Sequence, residues 1–256
     1  MLALVIAAMH AETVVSSRPL FLLSLAFHPK QSIYQRAQIL DKNDWILPKK
    51  RLERFRRAGF TINEERHVVV TAWTTVESVT SDAAKLSSLV RVRSYDVRRN
   101  IESDDQENVS VEVTANNHRL GGGLRLEEAE AAMEDLPTHP VGIGSSWTTR
   151  ERVSTELGSG SALFHHRIAA VDGDVVEIAV SARGSITGAE YDLPKLLPGT
   201  IELIGMAWFD RKTRGFFHES YAIHNAIVKP AEHERIGFDN TQWVDVTSVT
   251  VRGTVP

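Results

Sequence analysis

Residues Leu163–Arg183 read LFHHRIAAVDGDVVEIAVSAR. Two runs with apolar residues at every second position flank Asp172-Gly173, a dipeptide whose glycine supplies the positive φ that a tight two-residue hairpin needs. Val176, Ile178, Val180 and Ala182 fall on one phase of the second run, and Glu177, Ser181 and Arg183 on the other. One phase is therefore dry and the other wet, the pattern of an antiparallel sheet with a single buried face. The adjacent His165 and His166 point to opposite faces of such a strand.

The same period recurs outward. Downstream, Ile201–Phe209 runs into a polar turn, Asp210-Arg-Lys-Thr-Arg-Gly215, and Phe216–Val228 follows. Trp243–Val251 alternates again and closes the sheet. Upstream, Ser146–Glu156 leads in, with Gly158-Ser-Gly160 as its turn. Further back, His67–Val79, Leu86–Arg99 and Val109–Asn116 alternate with β-branched residues on one phase and suggest three strands in meander order. Phe21–Phe27 has a β-like look. Asp41–Asp44 reads as a polar turn, and Glu102–Asn108 as an acidic one. Between the halves, Leu126–Asp135 is rich in Ala and Glu and reads as a helix. Pro137 and Pro140 then form a rigid crossover. A short helix is expected from Lys49 to Gly59, with Pro48 at its start. Its basic residues read as a solvated face, with anionic lipid or nucleic acid as the functional alternative.

These elements give a mainly β (α+β) fold: about eight to ten strands in a large curved antiparallel, half-barrel-like sheet with one or two helices. Val68, Val70, Val90, Val92, Val111, Val113, Ile168, Val176, Ile178 and Val180 are expected on one concave side. Residues 1–11 read as a signal segment and 12–256 as a single β-rich domain, with the helix and crossover near 124–141. The apolar run Leu2–Ala8 followed by Met9-His10-Ala11 resembles the apolar core and cut site of an export signal. The chain is thus expected in the periplasm or outside the cell, and no stretch is long enough to span a bilayer as a helix.

Composition narrows the functions. Lys and Arg number 29 against 33 Asp and Glu, a net charge of −4, which argues against a dedicated nucleic-acid binder. Cysteine is absent, which excludes disulfides, thiolate metal sites and a cysteine lipid anchor. The ten histidines contain neither H-E-x-x-H nor H-x-H. His218 and His224 share a strand phase, but six residues separate them by about 20 Å of extended chain. No metal or cofactor is expected. G-x-S-x-G is absent, and Gly121-Gly-Gly123 lacks the Lys-Ser/Thr of a phosphate loop. Trp73, Trp147 and Trp208 read as core residues within strands.

Three elements carry a family resemblance. Leu136–Thr148, LPTHPVGIGSSWT, resembles the LP-x-x-PV-x-x-G-x-x-W element of uncharacterised bacterial envelope proteins distantly related to the lipoprotein-carrier superfamily of curved half-barrels. Gly205–Gly215 resembles their G-x-x-x-x-D-x-x-T-G hairpin, with Arg214 inserted after Thr213. Leu25-Ala-Phe-His-Pro29 with Tyr34 resembles their opening strand. The resemblance implies a non-catalytic envelope protein that holds an apolar ligand, such as a lipid, in the hollow of its sheet. Val68, Val70, Val90, Val92, Ile168, Ile178 and Val180 would line that hollow. The alternative is a structural or protein-interaction module whose hollow is filled by its own side chains, with other envelope proteins as partners. An enzyme, a hydrolase above all, is the third reading.

Overall fold

The structure is a computed structural model. It describes residues 19–59, 61–98, 100–117, 119–121, 136–155, 158–188, 197–230 and 235–251. The expected signal segment, 1–11, and the expected helix Leu126–Asp135 lie outside these.

Eleven strands form one sheet. They are β1 (Ser32–Ile46), β2 (Asn63–Val79), β3 (Ala83–Asp96), β4 (Ile101–Thr114), β5 (Arg119–Gly121), β6 (Ser146–Thr155), β7 (Gly158–Asp172), β8 (Val175–Gly188), β9 (Leu197–Asp210), β10 (Gly215–Pro230) and β11 (Arg235–Val251). The order is β5-β4-β3-β2-β1-β11-β10-β9-β8-β7-β6, with each pair antiparallel. The first and last strands are therefore neighbours in the middle, and β5 and β6 are the two edges among the described residues. The helix α1 (Lys49–Arg57) begins after Pro48 and buries none of its residues, so it is a solvated helix rather than a cover for the sheet.

The register puts the ten expected apolar residues on one face. Val92 faces Val70, Val111 faces Leu86, Ile168 faces Ile178, and Ile39 of β1 sits between Val68 and Val244. This inner face is dry: Val68, Val76, Ile168, Val176, Ile178 and Phe209 are each at most 1% exposed. Among the described residues there is no second layer to cover it. A sheet that buries one face without a facing layer must curl over it.

One end of the curled sheet is closed by the chain before β1. Phe21–Phe27 is not a strand. Phe21 forms an isolated bridge with Val141, the Leu25 N–H donates to Ala115 O, the Ala26 N–H to Arg214 O and the Lys30 N–H to Val76 O. The backbone bonds of this strap go to four separate places at the same sheet end, which satisfies its polar groups without a ladder. Leu23, 1% exposed, joins the main core, and Leu25 and Phe27 pack on the cluster of Val76, Ala84, Leu86, Val111 and Val113.

Three expected turns lie within strands instead: Gly158–Gly160 opens β7, where Gly160 pairs with Val153 of β6. Asp41–Asp44 lies within β1, and Glu102–Asn108 within β4, whose reversal comes earlier, between Asp96 and Ile101. The acidic stretch is held extended because Asp104 lies across from Arg93 of β3 and diagonal to Arg91, and forms ion pairs with both. The expected hairpin is present with Gly173 at φ 55°, but its two-residue loop is Gly173-Asp174, because Asp172 pairs with Val175.

Candidate functional site

The residues expected to line an open hollow are core. Val68, Val70, Val90, Ile168, Ile178 and Val180 are between 0 and 5% exposed and belong to one apolar cluster, with Val92 packed against it. Phe164, Leu203, Ala207, Phe209 and Tyr221 belong to it too. Gly205 of β9 faces Tyr221 across the ladder, and a Cβ on Gly205 would meet the Tyr221 ring and the Ser220 carbonyl. A side chain is absent there because the tyrosine occupies the space.

Above this apolar region the inner face turns polar, which the sequence reading missed. Asp41, fully buried, lies beside Arg66 of β2 and Gln242 of β11 in the ladders. Its Oδ2 accepts from Arg66 Nε at 3.0 Å and Nη2 at 2.6 Å, and from Asn43 Nδ2 at 3.1 Å. Its Oδ1 accepts from Asn240 Nδ2 and, at 3.4 Å, from Gln242 Nε2. Asn225 Nδ2 donates to Asn240 Oδ1 at 2.9 Å, and Asn225 Oδ1 is buried without a partner among the described residues. Five donor bonds on one carboxylate satisfy a charge that would otherwise be costly to bury. The alternation was legible: Asp41 and Asn43 share the phase of Ala37 and Ile39. Polar residues on the inward phase gave it the look of a turn.

The histidines separate by face. His166 is 1% exposed, stacks 5.0 Å from Trp147 and lies 3.1 Å from Thr149 Oγ1, whereas His165 is exposed on the other face. His218 and His224 point outward to Asp245 at 2.9 Å and Asp239 at 3.1 Å. Among the described residues no three His, Cys, Asp or Glu side chains gather as a metal site would require.

Trp73 and Trp208 also belong to the outer face, contrary to their core reading, because each falls on the phase opposite to the buried residues of its strand. Trp73 packs 4.4 Å from Tyr34. Trp208 stacks on His218 at 4.6 Å, with their planes 11° apart. Trp208 is part of a trough of about 890 Å³ on the outer face of β7–β11. Ala179 and Ser181 of β8 and Ser220 and Ala222 of β10 keep it low on either side of β9, whose Ile204 and Met206 stand up with Trp208 and Trp243 along its sides. Such a volume with a mainly apolar lining is in the range of small-molecule sites.

No family model and no curated protein matches the chain. Solved structures match at very low similarity. The type IV competence pilus secretin PilQ of V. cholerae is 8% identical over 88% of this chain and 62% of its own, with a TM-score of 0.20. The ETEC pilotin–secretin complex AspS–GspD gives 10% identity over 88% and 50%, with a TM-score of 0.20. The β-barrel of the secretin InvG from the Salmonella SPI-1 injectisome gives 8% over 88% and 64%, with a TM-score of 0.19. The chain thus spans less than two thirds of the length of these proteins, and at such TM-scores they say nothing of its function. The lipoprotein-carrier resemblance stays a reading of short motifs.

Proposed function

We propose that this chain is a non-catalytic module of the cell envelope that works by contact, with a self-filled core inside its sheet and its partner surface outside. The observation that carries this reading is the burial of the expected ligand wall: Ile168 and Ile178 are 0% exposed, Val68 1% and Val180 2%, all in one cluster. Residues that must part to admit a ligand would lose the packing that holds the sheet curled. The strap across one end, with Leu23 in the core, adds to that packing. The polar groups of the inner face bond to one another rather than converge on a reacting atom, which favours a module over an enzyme.

The test is Ile178→Trp. In a filled core the larger side chain overpacks and lowers stability by about 1–3 kcal/mol in urea unfolding. An unchanged midpoint would restore the open hollow and the lipid-carrier reading. Envelope placement is a separate part of the proposal and rests on the apolar run Leu2–Ala8. N-terminal sequencing of native protein checks it: a mature chain that begins just after Ala11 supports export, and one that begins at Met1 overturns it.

No helix of the described residues is long and apolar enough to cross a membrane.

A further inference from the structure

We propose that the trough on the outer face of β7–β11 binds a single-chain anionic amphiphile of the fatty-acid type, acyl chain across the strands and carboxylate at the β7 end; this rests on the reading that partners meet the outer face. The ladders set the geometry. One row runs Arg167, Ala179, Met206, Ser220, Asp245, and the next runs His165, Ser181, Ile204, Ala222, Trp243. The two rows are the sides of the trough, and the backbone between them, with Gly205 at its centre, is the floor. It crosses five strands, about 19 Å at four strand spacings, which matches an extended acyl chain rather than a compact ring system.

The residue sizes are those of a groove rather than of a solvated sheet face. A wet face normally carries polar side chains. Here Ile204 is 68% exposed and Trp243 43%, and they stand beside small residues. Both tryptophans are held in place. Trp208 lies flat on His218, which bonds Asp245, and the Lys42 ammonium sits 5.4 Å from the centre of the Trp243 ring. Rigid aromatic walls lower the entropy lost on binding.

The charges choose the ligand and its direction. At the β11 end Asp245 already has a partner in His218. At the β7 end His165 and Arg167 are exposed, and Arg167 has no ion pair among the described residues. An unpaired guanidinium at one mouth of an apolar groove suits a carboxylate, which it can hold with two parallel N–H···O bonds. A cationic amphiphile would meet repulsion there.

The experiment is a calorimetric titration of the full chain with laurate and with dodecyltrimethylammonium, both below their micelle concentrations. Laurate is expected to bind in the micromolar range and the cation at least about tenfold more weakly, the size of one charge-assisted contact. Arg167→Glu should weaken laurate by about tenfold or more and narrow the gap between the two probes. Ala222→Trp fills the trough from the solvent side and should abolish laurate binding with the thermal midpoint unchanged. Ile178→Trp, on the inner face, should keep laurate binding. No heat with laurate overturns the proposal, as does equal affinity for both probes or binding that survives Ala222→Trp. Laurate lost in Ile178→Trp but kept in Ala222→Trp would place the ligand inside the sheet and overturn the proposed function as well. A stability loss in Ile178→Trp without laurate binding to the parent would leave the filled-core reading standing and remove only the trough.

Discussion

Strands β7–β11 present two faces made by the same alternation, and the two are built in opposite ways. On the inner face the large residues interlock: Phe164, Ile178, Leu203, Phe209 and Tyr221 share one cluster, and Gly205 yields its space to Tyr221. On the outer face the large residues stand apart and small ones lie between them. Ile178 is 0% exposed and Ile204 68%, although they sit on adjacent strands, three register positions apart and so on opposite phases. The hydrophobic effect accounts for Ile178 as soon as the sheet curls. It gives no reason for Ile204 and Trp243 to be in water, so their reason lies in a contact with something else. Apolar alternation alone therefore marks the core of this protein, and the apolar residues on the opposite phase mark the surface proposed above for a ligand.

The comparison sharpens under substitution. The largest effect is expected within the inner face, where its polar part depends on one pair. Arg66→Ala strands the fully buried Asp41 carboxylate and should cost about 3–5 kcal/mol. Lys42→Ala, next to Asp41 but on the outer phase, should stay within about 0.5 kcal/mol. Urea unfolding of both variants measures this, and equal costs would break the distinction between the faces.

A matched pair of tryptophans comes next. Ile178→Trp should lose about 1–3 kcal/mol through overpacking, while Ala222→Trp, on the outer face, should stay within about 0.5 kcal/mol. A destabilised Ala222→Trp would mean that the outer face is packed rather than open.

Turns link the two faces and should respond less. Gly173 has φ 55°, where a β-branched side chain is strained, so Gly173→Val should cost about 1–2 kcal/mol in a thermal or urea melt. An unchanged melt would count against the hairpin.

The smallest effect concerns pH. Burial pushes the Asp210 carboxyl up, but the backbone N–H groups of Lys212 and Thr213, the Thr213 hydroxyl and the Lys212 charge together hold it below its ordinary 3.8. A depressed carboxylate contributes stability that is complete above the unfolded value and is lost as pH falls through the folded one. Wild type should therefore lose slightly more stability than Asp210→Asn as pH drops below the ordinary carboxylate value. The difference should be no more than about 1 kcal/mol, the size of one net hydrogen bond. Parallel urea melts at neutral and acid pH read it.

Where side-chain alternation and turn chemistry agree, the strands were legible. β2, β7, β8, β9 and β10 lie where their period places them, and Gly173 turns where Asp-Gly predicts. Misreadings fell where polar residues occupy an inward phase or a paired strand. Asp41–Asp44 looked like a turn, yet it is strand interior, because Asp41, Asn43, Asn240 and Gln242 satisfy one another across the β1–β11 ladder. Glu102–Asn108 was misread for a similar reason, since its partners Arg91 and Arg93 lie on the neighbouring strand.

By itself the sequence determined the class of the protein and its dry phase. Local backbone preference and two-residue periodicity are properties of neighbouring residues, and so were the absence of cysteine and the lack of a metal-binding spacing. The tertiary structure alone decided which polar residues are core, how deeply the inner apolar residues are buried, and where the outer trough lies. Each of these depends on register between strands far apart in the chain. Asp41 meets Asn240 and Gln242 across about 200 positions, and Arg167 joins Asp245 in one row only through three intervening strands. Curling adds the last element, because whether an apolar face encloses space or fills it depends on how tightly the whole sheet closes over its side chains.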